Sequence, residues 1–174
     1  ILIREAYAEV PTRELRVTTP MRLPYTGRVP ALKVGLSSIE SAGTFMESAA
    51  WELFPEAPCF RIGVRRIESG EALPDYEVYR KRFSPKIREM EMIFLLDVML
   101  AAGGSAVRTL QILKDEGIQK LVFVGIIAAP EGVAAVKKAH PDVPLYLAAV
   151  DDCLDKRAYI KPGLGDAGDR LLGT

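Results

Sequence analysis

The chain has 174 residues, 49% of them hydrophobic and 26% charged, which suffices for one α/β domain and is short for two. Lys plus Arg and Asp plus Glu stand at 23 each, so the balance of charge gives no sign of nucleic acid or of a membrane surface as partner. Cys59 and Cys153 are far apart, form no Cys-x-x-Cys and no zinc framework, and imply unpaired thiols in a reducing compartment.

No apolar run reaches the roughly 20 residues of a membrane-spanning helix, and Ile1-Leu-Ile-Arg-Glu lacks a signal-peptide pattern. The absence of an initiator Met implies a processed or incompletely represented N-terminus. Ile1 to Ala8 reads as the last turns of a helix, and Glu14 to Thr18 alternates like a short strand. From Pro20 to Pro30 the chain is punctuated by Pro and Gly every few residues and reads as loop. Val29 to Val34 leads into Gly35, and a helical pattern runs from about Ser38 to Phe54, where Pro55 stops it; Phe45, Met46, Trp51 and Phe54 form its core face. Phe60 to Val64 is a short strand ending in Arg65-Arg66, and a polar hairpin-like segment from Glu68 to Pro74 follows. Tyr79-Arg-Lys-Arg-Phe is a compact basic run that reads as a solvated loop, with an anion-binding role as the alternative.

The stretch that organises the rest is Asp97 to Ser105, Asp-Val-Met-Leu-Ala-Ala-Gly-Gly-Ser. Met92 to Leu96 before it is short, uncharged and rich in strand formers, as a strand buried on both faces of a parallel sheet must be. Asp97 would stand at its carboxyl end, where open α/β sheets bind ligands. Beyond the loop, Ala106, Val107, Leu110 and Leu113 recur at helical spacing, Ser105 is the natural N-cap and Gly117 the stop. Gly103 and Gly104 permit a tight turn and bring backbone N–H groups close to an anion, to which the helix N-terminus adds partial positive charge. A plain strand-to-helix turn would carry the same residues. Leu121 to Ile127 and Pro144 to Val150 are further strands, with a helix from Gly132 to Ala139 between them, so two crossovers build a parallel sheet. His140 sits before Pro141 on a polar turn and reads as surface structure.

In the tail, Tyr159 to Arg170 sets Gly163, Gly165 and Gly168 beside Asp166 and Asp169. Closely spaced glycines let backbone donors and acceptors approach a flat ligand; a glycine-rich cap over the sheet end is the alternative. Gly163-Leu-Gly-Asp-Ala-Gly-Asp-Arg-Leu-Leu-Gly-Thr174 closely resembles the carboxyl terminus of uracil phosphoribosyltransferases. Ala128-Ala-Pro-Glu-Gly-Val, Ala139-His-Pro-Asp-Val, Ile62-Gly-Val-Arg-Arg and the Asp97 to Ser105 loop agree in order, and the resemblance runs from about Ala6 to Thr174.

That resemblance implies a parallel-sheet, Rossmann-like α/β phosphoribosyltransferase domain with a small C-terminal base-binding hood. It implies a single domain over residues 1–174, with the family's amino-terminal helical part largely missing. The implied reaction transfers ribosyl phosphate from phosphoribosyl pyrophosphate to N1 of uracil, giving UMP and pyrophosphate, with Mg²⁺ carried on the pyrophosphate and no metal held by the protein alone. Asp97 and Asp166 are the implied catalytic residues. The donor would lie against Lys33, Arg66, Asp97, Val98, Met99, Leu100, Ala101, Ala102, Gly103, Gly104, Ser105 and Asp166, and uracil against Ile160, Gly165, Asp166 and Ala167. A homodimer in the cytoplasm is implied, an organelle such as the plastid being the other intracellular location. Departures cluster on the donor side: Lys33-Val34-Gly35-Leu36 for the usual Arg-Ala-Gly-Leu, and Val98 and Ala102 for the usual Pro and Thr. Pro20 to Val29 is short for the family and Ser37 to Leu53 long. The alternative these departures raise is a catalytically impaired relative serving as a nucleotide-sensing or structural subunit.

Overall fold

The computed structural model describes residues 1–67 and 75–173, and the hairpin-like reading of Glu68 to Pro74 lies outside them. α1 (Leu2–Ala6) buries Ile3 and Ala6, and β1 (Thr12–Thr18) then pairs antiparallel with β2 (Pro24–Pro30) in a two-stranded ribbon. The loop expected from Pro20 to Pro30 is therefore corrected to a turn and a strand. Pro24 and Pro30 sit at the ends of the ladder, opposite Thr18 and Thr12, where a missing N–H interrupts no interior bond.

The helix expected from Ser38 is corrected as well. β3 (Val34–Glu40) is a strand whose Gly35 to Ile39 are all buried, and only a 3-10 turn (Ala42–Met46) and the short α2 (Glu47–Trp51) wind helically. Burial decides the matter: β3 lies parallel between β4 (Cys59–Ile67) and β6 (Met92–Leu100), and a helix there would leave both neighbours' backbones unpaired. β5 (Asp75–Arg82) runs antiparallel along the outer side of β4, so the basic run read as a loop is an edge strand.

The elements from α3 to β8 follow the expected alternation: α3 (Gly104–Asp115), β7 (Lys120–Ala128), α4 (Pro130–Ala139) and β8 (Leu145–Val150); the two-residue strands β9 (Cys153–Leu154) and β10 (Ile160–Lys161) and the helix α5 (Ala167–Leu172) come in addition. The main sheet has the order β5-β4-β3-β6-β7-β8, parallel except at β5. Alternate residues of β6 serve opposite faces. Ile93 and Leu95 meet Ala106, Leu110 and Leu113 of α3 and Val136 of α4, whereas Phe94, Leu96 and Val98 meet Ala6, Met46, Ala50 and Ala167. With apolar cover on both sides, the strand has no solvent face for which to alternate, and each fully buried Leu or Phe contributes about 1.5–3 kcal/mol.

Two polar groups are drawn into this framework. His140 is buried at 2% exposure, against the surface position expected of it, because its Nε2 lies 3.0 Å from the Val107 carbonyl and ties the end of α4 to α3. Glu47 is buried at 1% exposure and is gripped by Arg61 through Nε at 2.9 Å and Nη2 at 2.6 Å, while the Ser38 hydroxyl donates to it at 2.6 Å. Burial alone would raise the Glu47 carboxyl; the Arg61 fork and the Ser38 hydroxyl outweigh it and hold the group below its ordinary value. Burial, with Glu47 beside it, pushes the Cys59 thiol up to about 12, which leaves it without thiolate character at neutral pH. Among the described residues no helix is long and apolar enough to cross a membrane.

Candidate active site

At the carboxyl end of β6 the chain does what the glycine spacing demands, with two adjustments. The strand runs on to Leu100, three residues past Asp97, and the helix cap is Gly103 rather than Ser105. Gly103 takes φ 84, a left-handed angle that suits glycine, and the Cβ of any other residue would press on Gly132 and Ala135 of α4. Among the described residues no side chain caps α3, so its first-turn N–H groups are left for the space in front of the loop.

A cleft of about 460 Å³ opens there. Its floor is Asp97, Met99, Leu100, Ala101, Ala102, Gly103, Gly104 and Ser105; Ile160, Gly165 and Asp166 come in from the tail. Two segments some sixty positions apart in the chain thus face one another. The tail is shaped for the purpose. Gly163 donates its N–H to Asp151 at 2.7 Å and takes φ 59, Gly165 takes φ 78, and Asp166 caps α5 by accepting from the Asp169 N–H at 3.1 Å.

Asp97 is half-buried, and burial pushes its carboxyl up to about 7 against the opposing pull of the Val98 and Met99 amides, the former donating to it at 2.8 Å. At neutral pH the group is shared between acid and carboxylate, so it can both donate to and accept from a polyhydroxylated ligand.

Four expected residues stand apart. The side chain of Val98 turns into the core, as does that of Ala167 in the first turn of α5. Lys33 lies before the amino end of β3, about 20 Å of strand away from the cleft at roughly 3.3 Å per residue, where it pairs with Glu89 at 3.6 Å. Its expected place in the donor site is corrected by the direction of β3: the segment that reaches the cleft is Ile39-Glu40-Ser41-Ala42, at the other end of that strand. Arg66 belongs to β4, opposite Tyr76 of β5, and its side chain is outside those described.

Sequence reasoning missed Glu40, Ser41, Ala42, Tyr76 and Arg157, all of which line the cleft. The signal for the first three was Ala42-Gly43 after an apolar, serine-rich strand. A Cβ on Gly43 would overlap the Leu96 carbonyl, so that turn lies directly on β6. Tyr76 carries no local signal, because only the pairing of β5 with β4 delivers it.

A parallel sheet with a glycine loop under its central strand and a hood from the tail is the architecture of a phosphoribosyltransferase. A hypoxanthine phosphoribosyltransferase from Staphylococcus aureus shares the fold at a TM-score of 0.56 and 11% identity, over 76% of this chain and 73% of that one. The AQ2163 protein from Aquifex aeolicus matches at a TM-score of 0.87 and 29% identity, over 98% of this chain and 79% of that one.

The uracil phosphoribosyltransferase family model matches residues 1–174. A uracil phosphoribosyltransferase of Roseiflexus sp. (strain RS-1) is 44% identical over 173 residues, 99% of this chain and 81% of that relative. The chain belongs to the uracil phosphoribosyltransferase family.

Proposed function

We propose that the protein joins N1 of uracil to C1′ of phosphoribosyl pyrophosphate, with loss of the N1 proton and departure of pyrophosphate, giving UMP. The observation that carries this reading is the meeting of the Asp97–Ser105 loop and the Ile160–Asp166 tail in one cleft. In it the loop and the first turn of α3 receive the 5′-phosphate through backbone N–H groups, and Asp97 holds the ribose hydroxyls. The backbone of Gly165, Asp166 and Ala167, with Ile160 beneath, reads the uracil edge, and Asp166 also faces the donor. Such chemistry is mainly positioning and charge stabilisation, and it needs no covalent nucleophile.

On the pyrophosphate side the reading assigns Arg66 and the turn Ser41-Ala42-Gly43-Thr44, which takes over the family's Arg-Ala-Gly-Leu from Lys33-Val34-Gly35-Leu36. Among the described residues no group of three or more His, Cys, Asp or Glu converges on a metal position. The carboxylates of Glu40 and Asp166 on the cleft wall are oxygen donors of the kind Mg²⁺ accepts, so they would face an ion arriving on the pyrophosphate. When bound, Mg²⁺ would neutralise the leaving group's charge.

A homodimer and an intracellular, cytoplasmic location complete the proposal. The ribbon of β1 and β2 exposes Leu15, Val17, Met21, Leu23 and Tyr25, and an isolated two-stranded ribbon is marginal in water, which supports cover by a second copy. Cys59 and Cys153 stand unpaired, as suits a reducing compartment.

Ser41 favours a second reading, an impaired relative that senses nucleotides, since it leaves the pyrophosphate corner without the family's arginine. Incubation with uracil, phosphoribosyl pyrophosphate and Mg²⁺, with detection of UMP, separates the two. Turnover supports the transferase, and UMP binding without turnover supports the sensor.

A further inference from the structure

Gly104 opens α3 at the mouth of the loop, and the position where its Cβ would stand is filled by the phenol of Tyr76: a Cβ there would overlap both Cζ and Oη. The ring comes from β5, on the far side of β4, and packs against the core that α3 covers. Its phenolic end is in contact with the first turn of α3, and Tyr76 forms part of the cleft wall. On its other side Tyr76 borders a second hollow, lined by Arg108, Gln111 and His140.

An anion seated at the N-terminus of α3 would therefore meet this hydroxyl beside the backbone N–H groups. The loop has no basic side chain, Asp-Val-Met-Leu-Ala-Ala-Gly-Gly-Ser, and Ala102 lacks the hydroxyl of the family's usual threonine. We propose that Tyr76 is a specificity-determining residue of the phosphate subsite: its hydroxyl donates a hydrogen bond to the ligand's phosphate and distinguishes phosphorylated from unphosphorylated nucleoside. Gly104 is the counterpart of that role, because any side chain there would displace the phenol. The inference rests on the nucleotide-binding cleft proposed above.

The test compares UMP with uridine by titration calorimetry on the wild-type chain, Tyr76→Phe and Tyr76→Ala. Tyr76→Phe keeps the ring and its packing, which a thermal melt verifies. A hydrogen bond to a charged group predicts that Tyr76→Phe weakens UMP about tenfold or more and leaves uridine unchanged. Unchanged UMP affinity, or equal loss for UMP and uridine, would overturn the proposal, as would tighter UMP binding by Tyr76→Ala, since the ring would then be an obstruction. Absence of turnover with uracil and phosphoribosyl pyrophosphate would remove the transferase reading alone, because the contrast between UMP and uridine needs no catalysis.

Discussion

Asp97 couples the cleft to pH in an unusual direction. Its carboxyl is raised to about 7 in the folded chain from an ordinary value of 3.8, so between those values the folded state holds a proton that the unfolded state has lost. Stability from this group is thus greatest at acid pH and falls as pH climbs through 7. Asp97→Asn, which mimics the protonated acid, is expected to stabilise the unliganded protein at pH 8 and to be neutral near pH 4, measured by urea unfolding. Three units at 1.36 kcal/mol set an upper limit of about 4 kcal/mol, reduced by whatever water the open cleft admits. At Ser41 the expectation concerns the donor. Ser41→Arg supplies a planar, two-pronged donor at the pyrophosphate corner and should lower KM for phosphoribosyl pyrophosphate about ten- to a hundredfold, with KM for uracil unchanged, in steady-state assays. Residues of the loop and tail were legible because glycine spacing and an acid after an apolar run are local signals. Lys33 was misplaced for a physical reason: a basic residue before Val-Gly-Leu fits the pattern, and only the direction of β3 reveals that it stands at the wrong end of the sheet.

Among the elements, the segment from Ala42 to Trp51 depends most on a single interaction. It is too short to be helical on its own propensity, and Glu47, clasped by Arg61 and Ser38, fastens it to β3 and β4. Glu47→Ala leaves Arg61 and Ser38 without that partner, and a cost of about 3 kcal/mol is expected in denaturant unfolding, at the low end for a broken buried pair because the Arg61 side chain is 41% exposed. The carboxyl is held below its ordinary 4.5, so its contribution is present above that value and lost as pH falls through the folded one; the gap between parent and variant should close in acid. The elements after Met92 were readable because α3, α4 and the strands β6, β7 and β8 each satisfy one clear period or one apolar run. Of those before it, the opening helix and the strands β1 and β4 were readable, whereas β2, β3 and β5 were not. Ser37-Ser38-Ile39 has no strand alternation, since β3 is buried on both faces, and β2 begins and ends in proline, which argues against a strand until its place at the ends of a ribbon is known.

For the whole molecule, the parallel order was foreseeable from two successive crossovers, whereas the antiparallel β5 and the projecting ribbon were not, because both depend on partners distant in the chain. Among the described residues the sheet so built ends in β5 on one flank and β8 on the other, and an open flank is a template on which a neighbouring chain can add a strand. On β5 the exposed Lys81 supplies a charge. β8 reads Leu-Tyr-Leu-Ala-Ala-Val, without a charge of its own, and its last three residues are exposed. The guard on that side is Asp151-Asp152, placed directly after it, in the manner of acidic gatekeepers that flank apolar strands. Asp152 is exposed, so Asp152→Asn is expected to leave the free energy of unfolding within about 0.5 kcal/mol of the parent while hastening turbidity in a concentrated, stored sample, followed by light scattering. Colloidal persistence in this protein is thereby expected to be set at the rim of the sheet, by an exposed charge at Asp152 that belongs neither to the core nor to the lining of the cleft.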